Sequence, residues 1–213
     1  GRAACPEPVA EHVAVAVPLI RDHGSAVLRD TWLGRAATGD VVLTAGSPVD
    51  DLVLAAGRAD LSLLGVDGAL HAVPAEQMTC TGQPSVDASR RLARVEWTPS
   101  DDTFLSDDPA VLEEWLDRGA WATAAQAVGV AQRLLDMTVA YVVEREQFGR
   151  PVGANQAVKH HCSNVAIALE FAAPMVHKAA WALTHGEGPE GGDPSIDVAM
   201  AKALASDAVD LAC

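Results

Sequence analysis

The sequence predicts a mainly helical α+β chain, on three observations. Apolar residues recur every three or four positions through most of the second half, from Pro109 onward. Short β-prone runs broken by Gly, Pro and Asp fill the stretch between Gly39 and Pro99. Two helical segments precede them. The expected organisation is N-terminal helices over 1–38, a small antiparallel β domain over 39–100, and a helical bundle domain over 101–213.

Each element has its own signal. "PEPVAEHVAVAVPLIRDHG" places proline early in a helix and Gly24 at its stop. "SAVLRDTWLGRAATGD" makes a shorter helix with Leu28, Trp32 and Leu33 on one side. The runs "DVVLTA", "DLVLAAG", "DLSLLGVDG", "ALHAVPA" and "RRLARVEW" read as strands. Asp107 or Asp108 ahead of Pro109 suits an N-cap and first turn. From there to Glu144 only Gly119 and Gly129 interrupt a long helix. A second long helix follows Gly153, with the stripe Val158, Cys162, Val165, Leu169, Ala172, Val176, Ala179 and Leu183. Pro174 removes a backbone donor and predicts a kink there. "HGEGPEGGDPS" reads as a loop, and "SIDVAMAKALASDAVDLAC" starts a third helix. Long helices joined by short connections predict a four-helix bundle with one helix outside this sequence.

Composition narrows the function classes. The chain has 213 residues and 49% apolar content, enough for a real core. A net charge of −14 repels phosphate backbones and disfavours generic nucleic-acid binding. No apolar run reaches the roughly 20 residues of a membrane-spanning helix. The best candidate, "VAEHVAVAVPLI", is short and carries Glu11 and His12. With no leader segment in view, a cytoplasmic protein without membrane association is expected. Cys5, Cys80, Cys162 and Cys213 stand far apart with no CxxC pair, so neither a metal site nor a disulfide framework is expected. His160 and His161 point about 100° apart on a helix, which makes them poor joint ligands. Opening at Gly1 and closing at Cys213 inside a helical pattern, the sequence reads as part of a longer protein.

The connection "REQFGRPVGANQ", from Arg145 to Gln156, departs from its alanine-rich surroundings. Arg145 offers a planar guanidinium suited to phosphate or pyrophosphate. Phe148 offers a face for a flat ring. Gly149 and Gly153 allow close backbone approach, Pro151 stiffens the turn, and Gln147 and Gln156 can bond a heterocycle. The chemistry alone leaves two readings: a corner for a nucleotide cofactor, or a plain inter-helix turn with a solvated Arg and a buried Phe. The second is the commoner use of such a turn.

The wording of the turn goes further. "YVVEREQFGRPVGANQAVKH" resembles the signature of acyl-CoA dehydrogenases, flavoproteins that oxidise acyl-CoA thioesters at Cα and Cβ. "AAQAVGVAQRLLDMTVAYVVEREQFGRPVG" is similar to that family's first bundle helix, and "AMAKALASDAVDLAC" to the helix leading to its flavin-binding loop. "RDHGSAVLRDTWLGRAATGD" resembles the end of its N-terminal helical domain, and "SPVDDLVLAA" through "RRLARVEW" the strands of its middle domain. The resemblance implies an acyl-CoA dehydrogenase-like fold and FAD as cofactor. It implies that the turn meets FAD across a subunit interface, Arg145 at the pyrophosphate and Phe148 at the adenine end. Gln147, Val152 and Gln156 would line the same cleft. Where this chain has Asn155 the family often carries a bulky residue or His.

Two departures qualify the resemblance. The family's Thr-Glu-Pro segment, Gly-Ser pair and Trp-Ile-Thr strand, which cover the flavin ring and thioester, have no counterpart between "VVLTA" and "GSPVDDLVLAA". The catalytic Glu lies in most members beyond the position of Cys213. In a minority it stands at the position of Gly119, with a supporting Arg at that of Ala120. Neighbouring Asp117 and Arg118 are a residue or two out of register, hence rotated away, and read as solvated charges. No catalytic residue is assigned. The pattern resembles one subunit of the heteromeric acyl-CoA dehydrogenases of actinobacterial steroid catabolism. That implies a related partner subunit in an α2β2 assembly, an acyl-CoA substrate and electron-transfer flavoprotein as acceptor. The alternative is a non-catalytic subunit that completes its neighbour's FAD site. A nucleic-acid-binding relative of the fold is disfavoured by the charge.

Overall fold

Pro18 shapes the start of the fold. It has no N–H to return to the carbonyl four residues back, and the turns before it, Ala10–Ala16, are wound as a π-helix that passes into α1, Val17–His23. Helix α2, Ala26–Thr38, begins at Ser25, whose hydroxyl accepts from Leu28 N–H at 3.2 Å, and ends at Gly39. The computed structural model describes residues 3, 5–47, 50–186 and 192–213. Residues 48–49 of the "GSPVDD" connection and 187–191 of the predicted "HGEGPEGGDPS" loop lie outside the described residues.

Among the described residues seven strands follow: β1 Leu43–Ala45, β2 Leu52–Leu54, β3 Leu61–Val66, β4 Ala69–Pro74, β5 Met78–Gly82, β6 Leu92–Trp97 and β7 Phe104–Ser106. They form a four-stranded sheet in the order β1-β3-β4-β7 and a three-stranded sheet in the order β2-β6-β5. Pairing is antiparallel throughout except between β1 and β3, which run parallel. The reason is topological: the chain leaves the first sheet after β1, contributes β2 to the second, and returns to lie beside β1 in the same direction. Two strands carry no run singled out in the sequence. β5 is "MTCTG", its threonines outward, and β7 is only three residues long.

Period-two alternation divides the strand side chains between two cores. Leu43, Ala45, Leu61, Leu63 and Leu70 pack with Val15, Ala16, Leu19, Ile20 and Trp115 on the helical side. Val53, Leu64, Val73 and Ala93 fill the space between the sheets. β3 is buried on both faces, so it reads as an apolar run rather than an alternating one. His71 is buried between Trp97 and Phe104, ring centroids 4.9 and 5.8 Å away, with Nδ1 3.0 Å from the Thr103 hydroxyl. Burial lowers its pKa, which keeps it a neutral core residue.

Glu11, in the π turn, has one carboxylate oxygen buried without a hydrogen-bond partner among the described residues. Desolvation lifts its pKa, against the opposing pull of a backbone hydrogen bond and of Arg90. The folded chain therefore holds this proton more tightly than the unfolded one. The associated stability is fully present at low pH and declines as pH rises through and above the ordinary glutamate range. Glu11→Gln is expected to stabilise the protein at neutral pH by about 1 kcal/mol and to change little near pH 4. Urea unfolding at the two pH values checks this, and an equal effect at both would refute it.

The remaining helices are α3, Pro109–Glu144, α4, Gln156–His185, and α5, Pro194–Ala212. Asp108 caps α3, its carboxylate accepting from Ala110 N–H at 2.9 Å. The 36 residues of α3 include Gly119 and Gly129 without a break in the helix. Pro174 sits on the exposed side of α4, which continues through it for 30 residues in all. Val165, Leu169, Ala172, Val176 and Ala179 are buried as the stripe predicts, while Ala182 replaces Leu183 as its last buried member. Residues Pro6–Ala122 form one compact unit and Thr123–Cys213 build the other. In the second, Ala131 of α3, Val165, Leu169 and Ala172 of α4, and Ala208 of α5 make the core. Lys178 and the buried Asp197 pair at 2.9 Å and fix α5 against α4.

No helix among the described residues is long and apolar enough to cross a membrane, and no described cluster of His, Cys, Asp and Glu could hold a metal ion. The four cysteines are unpaired.

Candidate functional site

The connection between α3 and α4 is a miniature hairpin. Arg145 N–H bonds to Tyr141 O at 2.9 Å, continuing the last turn of α3. Strands β8, Glu146–Gln147, and β9, Arg150–Pro151, then pair antiparallel, Glu146 opposite Pro151 and Gln147 opposite Arg150. Val152 N–H closes the ribbon onto Arg145 O at 2.7 Å. The two residues between the strands, Phe148 at φ 53° and Gly149 at φ 78°, are both left-handed, the signature of a type I′ turn. Gly149 takes that conformation freely. Phe148 does not: a left-handed non-glycine residue costs about 1–2 kcal/mol.

Phe148 is also 101% exposed. Of the two readings of this turn, the plain one with a buried Phe does not describe this ring, because the hairpin directs the side chain away from both helices. A large apolar ring held in solvent on a strained backbone is unfavourable for the isolated chain.

Behind the hairpin, Val152–Ala154 make a 3-10 turn that lies against α3. A Cβ at Gly153 would sit 2.9 Å from Val142 O and 3.1 Å from Val142 Cγ2, so only glycine allows this approach. Asn155 stands at the N-cap of α4 but makes no capping bond. Its Oδ1 instead accepts from Arg150 Nη2 at 2.6 Å, and its Nδ2 donates to Val152 O at 3.1 Å. Among the described residues the first amides of α4 thus have no side-chain partner, and the helix dipole leaves them partially positive.

The predicted residues gather on this one feature. Arg145, Gln147, Phe148 and Gln156 are exposed and Val152 is half-buried. The Arg145 guanidinium makes no hydrogen bond or ion pair among the described residues. The Gln147 amide donates to Glu146 O at 2.9 Å. Within a chain of net charge −14, the stretch from Gln147 to Leu169 contains no acidic residue, while Arg150 and Lys159 are cationic. Counting Glu144 and Glu146, which flank Arg145, the charges from 144 to 169 balance to a small net positive, against the strongly negative whole. Beside the hairpin runs a cleft of about 430 Å³ between Val139, Val142 and Val143 of α3 and Pro151, Val158 and Cys162. Val139 and Val143 went unnoticed in the sequence, although apolar residues on the exposed side of a helix end were the available signal.

At the other end of α3, Gly119 and Ala120 carry no ionisable group, and their neighbours are not free. Glu114 Oε2 lies 2.7 Å from His23 Nε2, Glu114 Oε1 accepts from Arg118 Nε at 2.6 Å, and Arg118 Nη2 is 3.9 Å from Asp22. Asp22 is in turn clamped by Arg21, which together with Arg118 holds its pKa below the usual carboxylate value. Arg118 and Asp117 are therefore not solvated charges as expected: the Arg118 side chain is 13% exposed and Asp117 is half-buried. The charged end of α1 covers this face of α3, a long-range contact that helical periodicity does not contain.

Residues 109–213 match the acyl-CoA dehydrogenase C-terminal domain model. Through these residues the chain belongs to the acyl-CoA dehydrogenase family. It is 39% identical over 102 residues to the acyl-CoA dehydrogenase IpdE2 of Mycolicibacterium smegmatis, covering 48% of this chain and 31% of that one. Against the acyl-CoA dehydrogenase FadE34 of Mycobacterium tuberculosis it is 36% identical over 172 residues, 81% of this chain and 22% of the relative. Among solved structures, a variant of the Tcur3481-Tcur3483 steroid ACAD superposes with a TM-score of 0.83 at 26% identity, covering 99% of this chain and 64% of that one. The ChsE4-ChsE5 complex from Mycobacterium tuberculosis gives 0.80 at 24% identity, over 96% and 62% of the two chains, a likeness of fold. This acyl-CoA dehydrogenase chain thus spans less than two thirds of the relatives it matches.

Proposed function

We propose that this chain is a subunit of an FAD-dependent acyl-CoA dehydrogenase, and that its α3–α4 hairpin completes a flavin nucleotide site. The observation that carries the reading is Phe148, held left-handed and fully exposed next to an Arg145 that has no partner among the described residues. These residues fit the nucleotide end of FAD. Arg145 would bind the pyrophosphate through its bidentate fork, helped by the uncapped amides of α4. Phe148 would stack on the adenine, and Gln147, Val152 and Gln156 would line the cleft. Bound FAD supplies the hydride acceptor for oxidation of an acyl-CoA at Cα and Cβ. This chain's own contribution is to bind and orient the nucleotide and to shield it from water.

The family resemblance extends the proposal to a steroid side-chain CoA ester as substrate, electron-transfer flavoprotein as electron acceptor, and a cytoplasmic setting. A related subunit in an α2β2 assembly is the proposed partner. Exposed Ile167, Phe171 and Trp181 on α4 and Ile196 and Met200 on α5 support association through the helical unit. A second reading, a structural subunit that lends the hairpin to a partner's site and holds no substrate, is favoured by one observation. Gly119 and Ala120 offer no base, and the nearby Glu114 is engaged by His23 and Arg118.

The test is the visible absorbance of the assembly purified through a tag on this chain. Oxidised flavin at one FAD per copy of the chain is expected for the first reading, and one FAD shared with each partner copy for the second. A colourless, stable assembly that takes up no added FAD would refute both.

A further inference from the structure

The proposed contact with a nucleotide needs the hairpin in one conformation, and the hairpin by itself has little to hold it. Its strands are two residues each, and a two-stranded ribbon that short is not stable alone in water. Phe148 adds strain rather than support. Contacts outside the ribbon must therefore over-determine it. One is the approach of Gly153 to Val142. The other is Asn155, whose side chain bonds at once to the Arg150 guanidinium at 2.6 Å and to the Val152 carbonyl at 3.1 Å. Arg150 immediately follows the turn and faces Gln147 across the ribbon, so the bridge ties the hairpin's second strand to the start of α4. Asparagine is among the best N-cap residues, yet here the cap bond is not made. Its side chain is committed to the hairpin instead.

We propose that Asn155 and Arg150 are positioning residues whose bridge locks the hairpin, so that Phe148 and Arg145 meet the nucleotide in a single preset geometry. This rests on the FAD reading given above. Pre-ordering a contact loop raises affinity because the ordering entropy is not lost on binding. Neither residue need touch the nucleotide.

The experiment uses the purified assembly stripped of flavin and titrated with FAD. Amide hydrogen exchange is followed at 147–152 and, as a control on the fold, at 165–179. Asn155→Ala is expected to speed exchange at 147–152 about tenfold, leave 165–179 unchanged and weaken FAD binding about tenfold. Asn155→Asp keeps an acceptor for Arg150 and is expected to return both readings to within about threefold of the unsubstituted protein. Should Asn155→Ala disturb α4 itself, Arg150→Ala removes the same bridge from its other end and is read by the same criteria. Unsubstituted exchange rates and FAD affinity in these variants would overturn the proposal. Faster exchange with unchanged FAD affinity, while Arg145→Ala loses FAD, would also overturn it and leave the nucleotide reading standing. Unchanged affinity in both Arg145→Ala and Asn155→Ala would remove the FAD reading, and the positioning role with it.

Discussion

Arg145→Ala is expected to release flavin from the assembly while leaving the fold intact. The guanidinium is exposed and has no partner among the described residues, so its loss removes no internal contact. A hydrogen bond to a charged group contributes roughly 1.5–3 kcal/mol, which corresponds to a tenfold to hundredfold weaker FAD affinity. Arg145→Lys keeps the charge but loses the planar fork, and is expected to recover only part of that affinity. The ratio of visible to ultraviolet absorbance after gel filtration measures the effect, with the thermal midpoint as control. An Arg145→Ala protein with unchanged flavin content would remove the assignment. A fall in both flavin content and the stability of the flavin-free protein would mean that Arg145 has a structural role instead.

The largest effect on stability is expected at Trp115. This side chain is 3% exposed and packs on the helical side of the four-stranded sheet with Val111 and Leu105. Its ring end rests on Gly65 of β3, where an added Cβ would lie 2.8 Å from Cη2 and Cζ3. Trp115→Ala is expected to destabilise by about 3–5 kcal/mol, because the rigid sheet cannot collapse into the space left behind. Gly65→Ala approaches the same contact from the opposite side. It forces the ring to move and is expected to cost about 1–3 kcal/mol. Urea unfolding followed by tryptophan fluorescence and by far-ultraviolet dichroism distinguishes the two. A loss below about 1 kcal/mol for Trp115→Ala would contradict the packing described.

Much of this fold is legible along the chain because helices are local. The Asp108 cap, the course of α3 to Glu144 and the buried stripe from Val165 to Ala179 follow from neighbouring residues and the 3.6-residue period. The α3–α4 connection was legible as a turn, through the order of Arg145, Phe148, Gly149 and Gly153, but its two short strands were not.

Strand pairing and side-chain environment depended on distant parts of the chain. The parallel β1–β3 pair exists because β2 belongs to the other sheet, and no residue in β1 encodes that. Strand β5 is hidden because its outward threonines blur the apolar pattern, and β7 because three residues cannot establish one. Arg118 looked solvated until α1 was placed beside it with Asp22 and His23. Phe148 has a similar history: its residue type suggests burial, and only the left-handed turn directs it into solvent. The sequence alone determined which segments are helical, the family and the residues of the turn, since these depend on neighbours a few positions apart. The tertiary structure decided which strands pair, which charges are covered and which way Phe148 faces, since those depend on segments that only folding brings together.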